Sequence, residues 1–267
     1  HPQVLTNAEY IVSLIESAED LTVNDIFVNE DKEIFVCGRT LDNLGNNVGF
    51  VSKLSATGVK EWEKTLELQS GRQYAEFQKI YVDGNNVWVA GINKPNTLLL
   101  DTYNPDIILV KYVQADNGLS ATLNFQKSYS GISGSSRSDN VTALTKYSDT
   151  RFVIGGYTNT NSANPYDAFI ALIDTSGNFA IKRKLASTND SEKITDIVVD
   201  GTDLYFSLET ADTISTNNIN ASFGKAVVGT TAITVSWIKE YSQTGYSFLN
   251  TSLAMDEFKE FYITSTL

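Results

Sequence analysis

Apolar and polar residues alternate along most of this chain with the two-residue period of β-strands, and the alternation returns in a fixed order. The segments IFVCGRT (34–40), VWVAGIN (87–93), FVIGGYT (152–158), LYFSLET (204–210) and EFYITST (260–266) align with one another. Cys37, Ala90, Gly155, Ser207 and Ile263 then share one position, at spacings of 53, 65, 52 and 56 residues. Upstream of each lies the strand that opens the unit, so that the aligned segments are second strands, and a short polar turn such as DGNN or DGTD separates the two. In the opening strand Ile26, Ile80, Leu144, Ile197 and Leu253 occupy one position and Asn24, Gln78, Thr142, Thr195 and Thr251 another. The first position is apolar and the second polar in every copy, as in a strand with two unlike faces.

Two more strands follow each pair. The third is typified by DAFIALIDTSGN and DIILVKYVQADNG. The fourth reads EWEKTL, NFQKSY, AIKRKL and SWIKEY, and by its distance to the next repeat the early segment EYIVSL belongs to this class. Four antiparallel strands repeated about every 55 residues predict a β-propeller, whose blades radiate from a central channel. The expected architecture is all-β, a single domain over 1–267 with about five four-stranded blades. Blade repeats fall at approximately 19–66, 74–129, 138–185 and 192–241. The last blade is incomplete and shared between the two termini, from 1–15 and 247–267. Because each blade is covered on both faces, the second strands read as nearly unbroken apolar runs. Small residues at Cys37, Ala90, Gly155 and Ser207, followed by Gly38, Gly91 and Gly156, point to close packing between blades. Cys37 is accordingly expected to serve packing.

The strands DAFIALIDTSGN, DIILVKYVQADNG, EWEKTL and VWVAG together resemble the β-propeller repeat of secreted and surface proteins. The fourth unit departs from that pattern, with Leu208 in place of glycine and SFGKAVV in place of an Asp-initiated strand. The resemblance implies a secreted or cell-surface scaffold and no particular reaction.

Charge and composition narrow the function. A formal net charge of -12, with KRK at 182–184 the basic cluster, disfavours nucleic acid and anionic lipid as partners. No apolar run reaches the length of a membrane span, so membrane insertion is not expected. One cysteine cannot build a disulfide framework or a Cys-based zinc site, and no cofactor or metal is expected. His1, the single histidine, leaves no partner for a Ser-His-Asp or Cys-His mechanism, and a copper site built on it would lack a second imidazole. With no initiator Met, the chain is expected to begin after signal-peptide cleavage or as an excerpt of a longer protein.

The residues just before the apolar ring are Asp25, Lys79, Ala143, Asp196 and Ser252. Of these Asp25, Lys79 and Asp196 are the candidate binding groups at the channel mouth, where a glycosidase would need converging carboxylates. Binding is expected ahead of catalysis. DGNN and DGTD could offer oxygens to calcium, but Asp-Gly is an ordinary hairpin turn, and NPD (104–106) and NPYD (164–167) likewise read as turn chemistry.

The incomplete blade lacks its third strand, which leaves the edge of its second strand, Phe261, Tyr262, Ile263 and Thr264, as a candidate interface. The missing strand could come from a longer chain or from another copy of this protein, giving assembly by strand addition; the blade could also close with three strands. Glycosylation sequons stand at Asn140, Asn189, Asn220 and Asn250. Asn189 and Asn220 are preferred as turn positions, Asn140 is a further candidate, and Asn250 opens an innermost strand. The leading expectation is an extracellular structural or adhesive module that binds protein, including copies of itself. The alternative is a carbohydrate-binding or glycoside-hydrolysing propeller with acids at the channel mouth.

Overall fold

The computed structural model describes residues 21–95, 105–129, 138–159, 166–185, 190–212, 219–242 and 247–266, and its regular elements are all β-strands. The first unit comprises β1 (Thr22–Val28), β2 (Ile34–Leu41), β3 (Asn47–Leu54) and β4 (Lys60–Thr65), and the second β5 (Arg72–Asp83), β6 (Asn86–Pro95), β7 (Asp106–Gln114) and β8 (Ala121–Tyr129). The third holds β9 (Ser138–Ser148), β10 (Arg151–Asn159), β11 (Asp167–Asp174) and β12 (Phe179–Leu185), and the fourth β13 (Asp190–Asp200), β14 (Asp203–Asp212), β15 (Ile219–Val228) and β16 (Ile233–Tyr241). A last pair, β17 (Leu249–Met255) and β18 (Phe261–Thr266), forms its own two-stranded sheet.

Within each unit consecutive strands pair antiparallel, which is the order read from the repeat. The fold is a β-propeller. The fourth unit keeps the same order despite Leu208, which is buried. EYIVSL and the first half of the shared blade lie outside the described residues.

Neighbouring units are stitched at one recurring place, five residues before the apolar ring. There the amides of Asp139, Glu192 and Phe248 donate to the carbonyls of Pro105, Tyr166 and Ile219 in the preceding unit, at 2.8, 2.9 and 2.8 Å. A parallel bridge between Asn47 and Tyr74 does the same between the first two units and merges them into one sheet. Side chains reinforce these joints. Lys53, only 1% exposed, reaches from β3 to the carbonyl of Gly118 in the second unit at 3.1 Å. Its charge is held by Glu33 at 2.6 Å and Glu61 at 2.9 Å. Burial alone would lower the Lys53 pKa, but the bonds from these two carboxylates outweigh it and raise it. Asp83 and Asp200, equivalent residues at the ends of β5 and β13, each receive a lysine of the next unit, Lys146 at 3.0 Å and Lys259 at 2.6 Å.

Sandwiching of the middle strands explains their composition. β3 is buried at seven of eight positions and β11 likewise; in β11 alternation gives way to the apolar run AFIALI, and in β3 the buried Ser52 and Lys53 are met by carboxylates of Glu63, Glu33 and Glu61. Cys37 lies fully buried in a cluster that joins Phe35, Val51 and Trp62 of the first unit to Phe77, Ile80 and Val89 of the second. At the equivalent Gly155, a Cβ would stand 2.5 Å from Ile197 and 2.8 Å from Ile194 of the next unit. The small residue is therefore set by the neighbouring blade, as the sequence suggests. Burial pushes the Cys37 thiol pKa well up, which keeps it protonated and unreactive.

The glycines that follow have a different cause. A Cβ on Gly38, Gly91 or Gly156 would lie 1.8 to 1.9 Å from the carbonyl oxygen of Thr22, Glu76 or Asn140, on the innermost strand of the same unit. The pressure at this position comes from within the blade, which corrects the reading of these glycines as contacts between blades.

Replacement Gly91→Ala should therefore cost at least about 1–3 kcal/mol, since backbone must move to admit the methyl. A chain of this size then loses several degrees of melting temperature, on the order of 2–4 °C per kcal/mol. Calorimetry on the variant checks it, and an unchanged melting temperature contradicts the contact. The native Cys37 thiol should react with an aromatic disulfide reagent only as fast as the protein unfolds.

Candidate functional site at the channel mouth

The innermost strands β1, β5, β9, β13 and β17 share a defect that builds the channel wall. The ladder with the second strand slips by a residue between Val23 and Asp25, Phe77 and Lys79, Val141 and Ala143, and Ile194 and Asp196. The residues left out are Asn24, Gln78, Thr142 and Thr195, the ones that are polar in every repeat. In β17 the slip between Leu249 and Ser252 spans Thr251. A bulge turns its residue out of the pleat and strengthens the local twist. At Asn24 and Thr142 it lets the polar side chain reach sideways to the next blade, while Thr195 shares a hydrogen bond with Ser207 of its own unit at 2.7 Å.

Those sideways bonds are specific. Asn24 donates to the carbonyl of Phe77 at 2.7 Å and to Glu76 Oε1 at 2.8 Å. Thr142 Oγ1 donates to the carbonyl of Ile194, which is the register equivalent of Phe77. One residue further on, Asp25 accepts the amide of Ile80 at 3.0 Å, and Asp196 accepts the amide of Leu253 at 3.1 Å and the Ser252 hydroxyl at 3.0 Å. Ile80 and Leu253 are themselves equivalent members of the apolar ring. Lys79 stands 3.7 Å from Asp25. The three candidates named from sequence thus come together on the channel wall, but both acids are already engaged as fasteners between blades.

Asp25 is more buried than its partner lysine can offset. Desolvation raises its pKa, with a further upward push from Asp196, against the opposing pull of Lys79 and of the Ile80 and Ile26 amides.

Above the bulges the channel opens into a cleft of about 500 Å³. Its walls bring together Asn24, Glu76, Gln78, Lys79, Asn140 and Thr142 with Tyr157, Lys193, Thr195, Asp196, Glu209 and Thr251. Two tyrosine stations flank it. Tyr157 meets Tyr166 edge to face at 4.9 Å, the Lys193 amine lies 5.1 and 4.6 Å from the two ring centres, and Asn140 Nδ2 donates to the Tyr157 hydroxyl at 2.8 Å. Burial raises the Tyr157 pKa. On the other side Tyr74 donates to Glu76 and carries Lys94 at 4.2 Å over its ring. Burial first, then the hydrogen bond to Glu76 and the Glu76 charge, push the Tyr74 pKa up to about 12.

Sequence reasoning missed Glu76, Tyr157, Lys193 and Glu209. Glu76 and Lys193 stand two and three residues before positions already singled out, in the same innermost strands. Tyr157 and Glu209 come from second strands, β10 and β14, where repeat alignment gave no reason to look toward the axis.

The other candidates are placed as follows. Asn140 uses its amide nitrogen, the atom a glycan would need, on Tyr157 inside the cleft. Asn220 belongs to β15, where it donates to Glu240 at 3.0 Å, so it is not the turn residue expected. Asn189 lies outside the described residues. Gly84 and Gly201, in DGNN and DGTD, take φ of 56° and 61°, the left-handed conformation a tight hairpin requires. Asp106 and Asp167 of the NPD and NPYD segments open β7 and β11 and bind Arg72 and Lys184, each at 2.6 Å.

No protein-family model and no curated protein matches this chain. Among solved structures it is similar to a GH32 β-fructofuranosidase of the silkworm Bombyx mori, with a TM-score of 0.52 and 11% identity over 91% of this chain. The match takes in 54% of the silkworm enzyme, so the chain spans about half of its length. A thermostable family-43 glycoside hydrolase is similar at TM-score 0.45 and 12% identity, covering 82% of this chain and 76% of that one. The acylaminoacyl peptidase of Pyrococcus horikoshii aligns at TM-score 0.44 and 10% identity, covering 87% and 33%. The GH32 and GH43 enzymes are β-propellers, and the first of these likenesses agrees with the fold described above.

The pKa of Asp25 gives a pH dependence with a definite sign. Its native carboxyl holds a proton more tightly than the unfolded chain does, so its stabilising contribution is complete below the unfolded value of about 3.9 and is lost as pH rises through the native one. Asp25→Asn has no such loss and can still accept from Ile80. The melting temperature of the variant relative to wild type should rise between pH 4 and pH 7 in a fluorimetric series; a flat difference contradicts the buried carboxyl.

Proposed function

We propose that this protein is a carbohydrate-binding propeller that receives a small saccharide in the cleft at the mouth of its channel. The observation that carries the reading is the convergence, in one cleft of about 500 Å³, of carboxylates, amides, hydroxyls and lysines beside Tyr157. Sugars present closely spaced hydroxyls that donate and accept together, and a wall of mixed donors and acceptors satisfies both roles. Their C–H faces pack on aromatic rings, which Tyr157 supplies. The volume is within the range of small-molecule sites. A β-fructofuranosidase among proteins of the same fold is a precedent for sugar chemistry on this scaffold, at the level of fold alone.

Binding without turnover is the form favoured by the geometry. Hydrolysis needs one protonated and one ionised carboxyl on either side of the scissile bond. Asp25 and Asp196 each hold the amide of the next blade, and Glu76 is bound by Asn24 and Tyr74. These acids have structural partners that a reaction would have to break. The cleft also supports a glycan as partner better than the protein or self-association expected first from sequence.

Purified protein applied to a glycan array should retain a restricted set of saccharides. Lys193→Met and Glu209→Gln, which change the mouth without touching the fasteners, should weaken the best of them at least tenfold by titration calorimetry. No retained glycan, or equal affinity in both variants, overturns the proposal.

A further inference from the structure

A second cleft, of about 630 Å³, lies between the first and second units, at the ends of β1 and β5 away from the channel mouth. Phe27 and Tyr81, which meet edge to face at 5.1 Å, stand in its wall. Its charged groups are of two kinds, engaged and free. Lys53 directs its three N–H groups to Glu33, Glu61 and the Gly118 carbonyl, and Asp83 is held by Lys146 of the third unit. Glu30, Asp31 and Asp116 also line the cleft, are exposed, and make no hydrogen bond or ion pair through their side chains among the described residues. No cation among the described lining residues is left to answer them.

An acidic rim by itself is an ordinary solvated surface, and Gln114 is what sets this one apart. It closes β7 at 7% exposure, with its side-chain carbonyl Oε1 buried and without a hydrogen bond. The fourth unit shows what the fold alone asks for at this point. Val228 is the counterpart of Gln114: each donates its amide to the turn after the innermost strand, to Thr202 and Asn85 respectively, and each opens the ladder to the outer strand, opposite Ile233 and Ala121. Val228 is a buried core residue, whereas a glutamine there keeps a carbonyl out of water with nothing to bond. The direction of Gln114 follows from the two-residue period of its strand. Ile108, Val110, Tyr112 and Gln114 share one face of β7, and the first three belong to the core cluster between the first and second units. Gln114 is therefore turned into the joint that holds the cleft, and it lines that cleft.

We propose that this cleft is a second binding site, separate from the channel mouth, for an organic cation bearing ammonium or guanidinium groups. Gln114 Oε1 accepts an N–H of the ligand, Glu30, Asp31 and Asp116 balance its charge, and its carbon chain lies against Phe27 and Tyr81, whose ring faces favour a cation. Ammonium and guanidinium groups donate and do not accept, which is what an unpaired carbonyl and free carboxylates require. A bare metal ion fits less well. Among the described residues no three acids converge closely enough to hold one, and the volume is that of a small-molecule site. A free polyamine and the side chains of a basic peptide share the chemistry that fits.

Titration calorimetry of the full chain with spermidine and with triarginine amide tests this and separates the two sources. At least one probe should bind at one per chain, and the tighter of them names the source. Gln114→Met, which nearly keeps the volume and removes the carbonyl, should weaken that binding about tenfold or more yet melt no lower than wild type, since it leaves no buried group unpaired. Asp31→Asn combined with Asp116→Asn, both in exposed turns, should weaken it about fivefold at low salt and lose most of that effect at about 1 M salt, where the screening length is about 3 Å. Absence of binding by both probes overturns the proposal. So does a Gln114→Met variant that binds as wild type does, and one that melts lower or fails to fold, because the glutamine is then structural. Calcium that displaces the bound probe at one ion per chain also overturns it, making the cleft a metal site.

Discussion

Three joints of this propeller, from the first unit to the second, the third to the fourth and the fourth to the fifth, are fastened at the innermost strand, beside a backbone irregularity that these strands share. The slip in the ladder of β1, β5, β9, β13 and β17 frees a polar residue from the pleat and aims it along the circumference. Asn24 and Thr142 then reach carbonyls of the neighbouring blade, and Asp25 and Asp196 take its amides one step further on. Beside the slip in the first three units, a carbonyl of the inner strand lies 1.8 to 1.9 Å from where a Cβ on Gly38, Gly91 or Gly156 would stand, whereas the fourth unit has the same slip and carries the buried Leu208 at that position. A satisfied buried hydrogen bond contributes modestly, but an orphaned partner costs about 1–3 kcal/mol, which makes these joints hard to vary one side at a time.

The candidate site inherits its character from that arrangement. The acids deepest in the channel are spent on structure, and burial makes one of them a reluctant carboxylate. What remains accessible is the rim above the bulges, where Glu76, Tyr157, Lys193 and Glu209 project from strands already held in place. Such a rim is rigid and polar, which suits recognition of a hydroxylated ligand better than chemistry requiring mobile protons. The acidic net charge is not concentrated there, since Lys79 and Lys193 share the walls with the carboxylates.

The joints also account for buried charge elsewhere. Lys53 is tolerated at 1% exposure because two carboxylates and a carbonyl from the next blade meet it. Asp83 and Asp200 repeat one lysine contact in different blades with lysines from different strand positions, Lys146 on β9 and Lys259 before β18. Geometry is kept while the donor's place in the sequence moves. Ile26 departs from the pattern of the apolar ring, being 60% exposed where its equivalents in the other described units are 3–8% exposed.

Strand order, the number of described strands from β1 onward, the polar and apolar rings and the role of Cys37 were all legible in the sequence, because each leaves a periodic trace. A repeat shows which positions are equivalent, and equivalence exposes a constraint that one copy would hide. The glycines were legible as a need for small residues but not in its cause, since the approach of one strand's carbonyl cannot be read from the sequence of its neighbour. Asp25 and Asp196 were found, yet their use was decided by which backbone amide lies opposite, a matter of how adjacent blades are rotated. Tyr157 and Glu209 were invisible because second strands are buried in general, and only the curvature at the rim brings these two side chains to the axis. Sequence alone determined the unit and its repetition through local periodicity; the tertiary structure decided which polar groups were consumed in holding units together and which were left for a ligand, because that depends on distances between strands far apart in the chain.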